Sequence, residues 1–199
     1  METDFSAYFA TIARLGQSVA VTDRQGGPVA VGDGVSRVQR LAVAAHAGGG
    51  KLMFIGNGGS AGIASHCAID YAKNGGLRAL AFNDGAALTC LGNDYGFESV
   101  FAKQMEFHAR PGDLLIAISS SGNSPDIRSA VTAVQERGGT AVTLSGFEPG
   151  NALRTMGELN FYVASAVYGL VEIVHLALCH AILDLHMGWR APDRHVGPA

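Results

Sequence analysis

Cysteine is scarce in this sequence of 199 residues, and its three cysteines are widely separated. Cys67, Cys90 and Cys179 form an odd set without a CxxC pair. Such a set argues against the disulfide framework of a small secreted domain and against a metal site built from thiolates. It is typical of a protein that works in a reducing compartment, and we therefore expect a cytoplasmic location.

Excess positive charge and a long apolar run are also missing, and we expect no leader peptide. The net charge is −3, so the chain lacks the excess of basic residues that is typical of nucleic-acid-binding proteins. The sequence starts with the acidic stretch Met-Glu-Thr-Asp rather than with the basic segment of a signal peptide. Its longest apolar stretch, residues 161–171, ends at Glu172 and is too short to span a bilayer. The sequence thus predicts neither nucleic-acid nor membrane partners.

The composition is that of a globular protein. Hydrophobic residues make up 48% of the chain and charged residues 16%. A chain of this length suits one domain with a substantial core. We expect a single domain over residues 1–199, with a helical segment at residues 1–50 and a flexible tail at residues 188–199.

Alternating apolar and helical stretches after Lys51 predict an α/β fold. Five short apolar runs are typical of strands: residues 52–55, 79–82, 114–118, 141–144 and 159–163. Helical stretches separate most of them, at residues 61–72, 97–109 and 125–137. Short apolar strands between helices predict a parallel sheet with helices on both faces. N-terminal helices precede this region, and a long apolar helix, residues 168–187, follows it.

Residues 119–124, Ser-Ser-Ser-Gly-Asn-Ser, lie between a predicted strand and a predicted helix. Ser124 is the expected N-cap, and Pro125 the first helical residue. Free N–H groups at a helix start, together with serine hydroxyls, form a cradle for a phosphate dianion. Plain capping is the alternative, but a cap needs only one such residue, so we favour phosphate binding.

A second turn, Gly-Asn-Gly-Gly-Ser at residues 56–60, follows the first of these strands. Its glycines would let a ligand approach the backbone, and Asn57 and Ser60 offer hydrogen bonds. The turn has neither the GxGxxG order of a dinucleotide site nor the lysine of a P-loop. Asn93 and Asp94 fall in a predicted short loop, residues 91–96, where they favour a turn or hold sugar hydroxyls.

Two groups of polar residues occupy predicted helices. His66 and Asp70 lie four residues apart and share a face, where they could bind Zn²⁺, act as acid and base, or form an ordinary surface hydrogen bond. Glu172, His175 and His180 interrupt the apolar last helix and are costly to bury unless paired or ligating. An ideal helix separates Glu172 from His180 by about 12 Å along its axis, so Glu172 with His175 is the easier pair by spacing.

Taken in order, these motifs resemble those of sedoheptulose 7-phosphate isomerases (phosphoheptose isomerases), which have the sugar isomerase (SIS) fold. Five features carry the likeness: the turn at 56–60, His66 with an acid four residues later, Gly-Asn-Asp at 92–94, the serine turn at 119–124, and the Glu172, His175 and His180 pattern. The resemblance extends over roughly residues 35–187.

The resemblance implies a flavodoxin-like, five-stranded parallel sheet and a homotetramer with sites at subunit interfaces. It implies conversion of sedoheptulose 7-phosphate to a D-glycero-heptose 7-phosphate through an enediol(ate), for ADP- or GDP-heptose biosynthesis. The implied zinc ligands are His66, Asp70, Glu172 and His180, and the implied acid–base pair is Asp70 with His180. The implied substrate contacts are Asn57, Gly58, Gly59, Asp70, Asn93, Asp94, Ser119, Ser120, Ser121, Ser124 and Glu172.

The chain departs from the family pattern at the implied metal site. The family typically has Glu where Asp70 stands and Gln where Glu172 stands. It also has an aspartate two or three residues before Glu172, which is absent here because Gly169 and Leu170 stand at these positions. The shorter Asp70 displaces the base by about one bond length, and a misplacement of about 1 Å can cost about 100-fold in rate. Glu172 adds a negative charge that would strengthen the binding of a divalent cation. The combined changes suggest a subgroup with its own substrate.

Two other functions are compatible with the same motifs. The chain could isomerise a different sugar phosphate, or it could be a non-catalytic SIS protein that binds a sugar phosphate or a protein partner. A carboxylate at residue 70, together with His66 and His180, argues against the non-catalytic alternative.

Overall fold

The computed structural model describes residues 2–191 of the chain. Within that range a seven-stranded sheet is flanked by seven α-helices. The strands are β1 (Ala20–Asp23), β2 (Pro28–Val29), β3 (Leu52–Gly56), β4 (Ala79–Ala81), β5 (Leu114–Ser119), β6 (Thr140–Ser145) and β7 (Leu159–Tyr162). The helices are α1 (Glu2–Gln17), α2 (Val31–Ala47), α3 (Gly59–Lys73), α4 (Gly85–Tyr95), α5 (Val100–His108), α6 (Pro125–Glu136) and α7 (Tyr168–His186).

The five strands from β3 to β7 run parallel, and they are the five that the sequence predicts. Every residue of β3 and β5 is buried, as expected for strands covered on both faces. One core joins the sheet to α1, α2, α3 and α7, and a second joins it to α4, α5 and α6. The prediction of helices on both faces is thus confirmed.

The prediction of a five-stranded, wholly parallel sheet was wrong at one edge. The strand order is β2-β1-β7-β6-β5-β3-β4, and the first two strands form a hairpin that pairs antiparallel with β7. Residues 1–50 are therefore not helical throughout. Gly26, Gly27 and Pro28 indicate a loop in the sequence. In the structure the two glycines lie between β1 and β2, Pro28 begins β2, and both strands are too short to show a periodic pattern.

The predicted loop at residues 91–96 was also wrong, because residues 85–95 form α4. Asp84 caps this helix, since its side chain accepts a hydrogen bond from the Ala87 N–H at 3.0 Å. Gly92 lies inside the helix, and the turn-forming preference of Gly92, Asn93 and Asp94 is overridden by their place in the fold. Of the predicted flexible tail, residues 192–199 lie outside the described residues.

The order of the parallel strands reverses beside β3. The chain adds β4 on one side of β3 and β5 on the other, so the crevice beyond the carboxyl ends of β3 and β5 is a topological switch point. Open α/β sheets bind ligands at such points. Gly56 pairs with Ile118 at the ends of these strands, so the turns at residues 56–60 and 119–124 meet at one edge.

In the described part of the chain, α7 is the one helix with the length and mean hydropathy of a membrane span, 19 residues and 1.5. It packs against α1, α2 and α3 and contributes buried residues to the first core. This is the environment of a core helix, which passes the same test of length and hydropathy.

The hairpin can be tested through Val21, which is 3% exposed and pairs with Phe161 of β7. We expect Val21→Ala to lower the free energy of unfolding by about 1–3 kcal/mol, because it leaves a cavity in the first core. The exposed Val31, at the start of α2, is the matched control, and Val31→Ala should change stability by less than about 0.5 kcal/mol. Equal effects of the two changes in denaturant unfolding would show that the hairpin is not part of the core.

Candidate active site

The loop after β5 gathers serine hydroxyls at the start of α6. Ser119 Oγ lies 3.2 Å from Ser124 Oγ and 3.4 Å from Ser121 Oγ. Ser124 is the N-cap, as predicted, but its hydroxyl makes no cap hydrogen bond. Simple capping therefore does not explain these serines, and the positive end of the α6 dipole faces the loop.

Ser120 gives the most direct indication that this loop binds a ligand. Its side chain is 5% exposed, and its hydroxyl has no hydrogen-bond partner among the described residues. A desolvated polar group without a partner costs about 1–3 kcal/mol, which a bound ligand would recover. Ser120 lines a polar cavity of about 110 Å³, hereafter the serine cavity, together with Asn57, Ser60, Ser119, Ser121, Ser124, Tyr168 and Glu172.

The turn after β3 contributes to the same cavity. Gly58 has a φ of 53°, a backbone conformation that favours glycine. A Cβ added to Gly59 would lie 2.3 Å from Glu172 Oε2, so glycine at this position permits the close approach of the α7 carboxylate. Asn57 donates a 2.7 Å hydrogen bond from Nδ2 to Oδ2 of the buried Asp126, which connects this turn to α6.

A second group of polar side chains lies where α3 faces α7. His66 Nε2 is 3.3 Å from Asp70 Oδ2, which confirms that the two residues share a helix face. His180 of α7 joins them, with Nδ1 3.7 Å from Asp70 Oδ2 and Nε2 3.2 Å from His66 Nε2. Half of the His66 side chain and smaller fractions of the other two are accessible to solvent.

These three residues can hold a metal ion. One ligand atom from each lies within 4.8 Å of the others. Two imidazoles and a carboxylate are ligands that transition metals accept, and bonds of about 2.0–2.2 Å place tetrahedral ligand atoms about 3.4 Å apart. The 3.3 Å between His66 Nε2 and Asp70 Oδ2 is close to this value, and His180 offers either Nδ1 or Nε2 as the third ligand.

Glu172 and His175 lie outside this group. The Glu172 carboxylate lies against Gly59 in the serine cavity, two helical turns from His180. His175, the alternative ligand by spacing, is fully buried and donates a 3.1 Å hydrogen bond from Nε2 to the Ser145 carbonyl. The structure therefore brings His180, and not His175, to His66 and Asp70.

Asn93 and Asp94 do not reach the serine cavity of their own chain. Both are exposed on α4, where Asn93 Nδ2 donates a 2.9 Å hydrogen bond to Asp94 Oδ1. Tyr168 is the cavity residue that the sequence analysis missed. Its spacing of four residues from Glu172 was the available signal, because residues four apart share a helix face.

Comparison with known proteins matches this arrangement to one family. A model of the SIS domain matches residues 8–146. A phosphoheptose isomerase from Geobacter sp. (strain M21) is 37% identical over 151 residues, 73% of this chain and 78% of that protein.

Solved structures give the same result over a longer part of the chain. A phosphoheptose isomerase from Neisseria gonorrhoeae superposes with a TM-score of 0.79 at 31% identity, covering 93% of this chain and 98% of that one. For a phosphoheptose isomerase from Francisella tularensis the TM-score is 0.80 at 26% identity, with 94% and 98% covered.

His175 should make the fold sensitive to acid. Burial lowers its pKa from 6.5 to about 4 in the folded chain. Above pH 6.5 the residue is neutral in both states, and below it the unfolded chain gains a proton that the folded chain does not accept. We expect the free energy of unfolding to fall by about 1.4 kcal/mol per pH unit between pH 6.5 and about pH 4 from this residue.

Denaturant unfolding at several pH values measures this effect. His175→Gln retains a donor for the Ser145 carbonyl but does not titrate, so the variant should lose this part of the pH dependence. Identical pH profiles for the two proteins would contradict the prediction.

Proposed function

The chain belongs to the SIS domain family and, within it, to the phosphoheptose isomerases, and on this premise we propose that it converts sedoheptulose 7-phosphate into a D-glycero-heptose 7-phosphate. It is a sugar-phosphate isomerase, an intramolecular oxidoreductase that interconverts a ketose and an aldose. In the proposed pathway the product supplies ADP- or GDP-heptose synthesis in the cytoplasm. One observation carries the proposal: the same two helices, α3 and α7, contribute residues to the serine cavity and to the group of His66, Asp70 and His180.

The serine cavity is the proposed phosphate site. The hydroxyls of Ser119, Ser120, Ser121 and Ser124 would donate to phosphate oxygens, and the α6 dipole would stabilise the charge. The unpartnered hydroxyl of Ser120 supports this assignment. Close approach of the substrate to the backbone is the proposed role of Gly58 and Gly59, with Asn57 adding an amide.

Asp70 and His180 are the proposed acid–base pair. Isomerisation moves a proton between adjacent carbons through an enediol(ate), so it needs a base, an acid and stabilisation of the developing oxyanion. We assign proton abstraction to Asp70 and protonation to His180. The contact of His66 Nε2 with Asp70 Oδ2 would orient the carboxylate.

Zn²⁺ is the proposed metal, with His66, Asp70 and His180 as ligands. When bound, the ion would stabilise negative charge on the substrate oxygen. Glu172 is the fourth ligand in the family pattern, but its position against Gly59 favours a contact with substrate hydroxyls. We therefore assign Glu172 to the substrate first, and to the metal only if its side chain rotates.

A homotetramer with sites between subunits is the proposed assembly. Phe5 and Phe9 on α1 are 67% and 55% exposed, and an exposed aromatic patch of this kind is typical of an interface. Asn93 and Asp94 do not line the serine cavity of their own chain, so their proposed contact with the sugar requires a second subunit.

A different sugar phosphate is the second candidate substrate. Asp70 and Glu172, in place of the usual Glu and Gln, favour it because Asp70 belongs to the proposed acid–base pair and Glu172 lines the serine cavity. Incubation with ketose phosphates of five, six and seven carbons, followed by NMR, distinguishes the candidates. Fastest aldose formation from the seven-carbon substrate supports the proposal, conversion of a shorter ketose alone supports the second candidate, and no conversion contradicts both.

Ser120 provides a test of the phosphate site. We expect Ser120→Ala to leave stability unchanged or slightly higher, because the hydroxyl has no partner to lose, and to raise KM about tenfold by removing a hydrogen bond to phosphate. Ser145→Ala is the matched control, since its buried hydroxyl bonds Asn160 at 3.2 Å. That variant should lose about 1–3 kcal/mol of stability and keep its KM. Denaturant unfolding measures the stability of both variants, and initial rates measure their KM. An unchanged KM for Ser120→Ala would show that the loop is only a structural turn.

Asp70 provides a test of the chemistry. Asp70→Asn keeps the size of the side chain but cannot accept the proton, so turnover should fall about 100- to 10,000-fold while the fold survives. Asp70→Glu should also lower turnover, because the extra methylene must fit a site built around the shorter acid. Exchange of substrate hydrogen with solvent deuterium measures the chemistry directly.

Two controls accompany this test. Asp184→Asn, on the same helix as His180 but outside the site, should keep full activity. The zinc content of every variant separates loss of the base from loss of metal. An Asn variant at position 70 with full zinc and full exchange would exclude Asp70 as the base.

A further inference from the structure

Tyr168 is the first residue of α7 and lines the serine cavity. It lies one helical turn before Glu172, so the two side chains share a face and form one wall of the cavity. Its side chain is 62% exposed, and in the described chain its hydroxyl has no hydrogen-bond partner. A phenol of this kind offers an apolar ring and a free polar tip to a ligand.

The ring of Tyr168 is held by a strained neighbour. Phe147 packs edge-on against it, with ring centroids 4.8 Å apart and planes at 77°. Phe147 is the one non-glycine residue of the described chain with a positive φ, 55°. Two hydrogen bonds hold it there, since its N–H donates to the Ser165 carbonyl at 2.9 Å and its carbonyl accepts from the Tyr162 hydroxyl at 2.7 Å. Strain that is fixed in this way is found chiefly at functional sites.

The strained segment is also fixed relative to the serine loop. A Cβ added to Gly146 would lie 2.8 Å from Val171 Cγ1 and 3.0 Å from the Ser120 carbonyl. The chain after β6 is therefore wedged between α7 and the loop that carries the phosphate-binding serines. Phe147 follows directly, and its ring connects this fixed segment to Tyr168.

We propose that Tyr168 is a substrate-binding residue that contacts the carbon chain of the sugar phosphate, and that Phe147 positions it. The inference rests on the proposed function, in which the serines hold the phosphate. The Glu172 carboxylate repels a phosphate and accepts hydrogen bonds from hydroxyls, so the wall formed by Tyr168 and Glu172 suits the hydroxylated chain. The ring packs against C–H groups of the chain while the phenol hydroxyl bonds a sugar hydroxyl.

Tyr168→Ala and Tyr168→Phe test the contact. With the best ketose phosphate we expect Ala to raise KM about tenfold and Phe about threefold, with kcat changed less than about twofold, because ring packing and one hydrogen bond are lost. Inorganic phosphate, used as a competitive inhibitor, should keep its inhibition constant in both variants. Phe107→Ala, which removes an exposed aromatic ring from α5, is the matched control and should keep wild-type KM.

Phe147→Gly tests the positioning role. Glycine suits the positive φ, so the fold should survive, and loss of the ring should raise KM as Tyr168→Ala does. Combining the two changes should add little to either alone. An unchanged KM, a fall in kcat alone, or an equal loss of phosphate inhibition would overturn the inference.

Direct binding separates this inference from the proposed function. If the wild-type protein isomerises none of the ketose phosphates, the proposed function fails. Calorimetric titration of the same ketose phosphates then still tests Tyr168. Weaker ketose phosphate binding by Tyr168→Ala, with phosphate binding unchanged, would support the contact, and equal binding by both proteins would overturn it.

Discussion

α3 and α7 pack side by side on one face of the sheet, and the candidate active site depends on the register of this contact. Tyr71 of α3 donates a 2.9 Å hydrogen bond to the Cys179 carbonyl of α7, and burial raises the pKa of Tyr71, so the phenol stays protonated. Cys67 and Cys179 are buried in the same core. Consecutive helical residues point about 100° apart, so the neighbours of these cysteines, His66 and His180, lie at the rim of the contact, where they meet.

The electrostatic environment of the serine cavity is unusual for a proposed phosphate site. Among the described residues no lysine or arginine lines it, whereas Glu172 does and the buried Asp126 lies beside it. Asn57 donates a hydrogen bond to one oxygen of Asp126, which stabilises that charge beside the cavity. A dianion bound here must be held by neutral hydroxyls, backbone N–H groups and the α6 dipole, and it must lie away from Glu172. In the proposed function the cavity therefore has a side for phosphate, formed by the serine loop, and a side for hydroxyls, formed by α7.

The sequence predicted those parts of the fold whose signals are local. Buried apolar strands and the N-cap at Ser124 follow from composition and position, and the shared face of His66 and Asp70 follows from helix geometry. The hairpin of β1 and β2 was missed because its stability comes from pairing with β7, over one hundred residues away in the sequence. The helical state of Asn93 and Asp94 was missed because the cap at Asp84 and tertiary packing override their turn preference.

The residue types of the candidate site could be predicted from the sequence, but their spatial arrangement could not. Spacing within α7 made Glu172 with His175 the easier pair, since both lie one turn apart on one helix. The structure selects His180 because α3 supplies the other two groups, and no pattern within α7 reveals which residues α3 will meet. Ser60 and His66 are about 9 Å apart along α3, and Glu172 and His180 about 12 Å apart along α7. In the proposed function, a sugar phosphate seated in the serine cavity must therefore extend along both helices to bring its reacting carbons to Asp70, and this requirement favours a long-chain ketose over a short one.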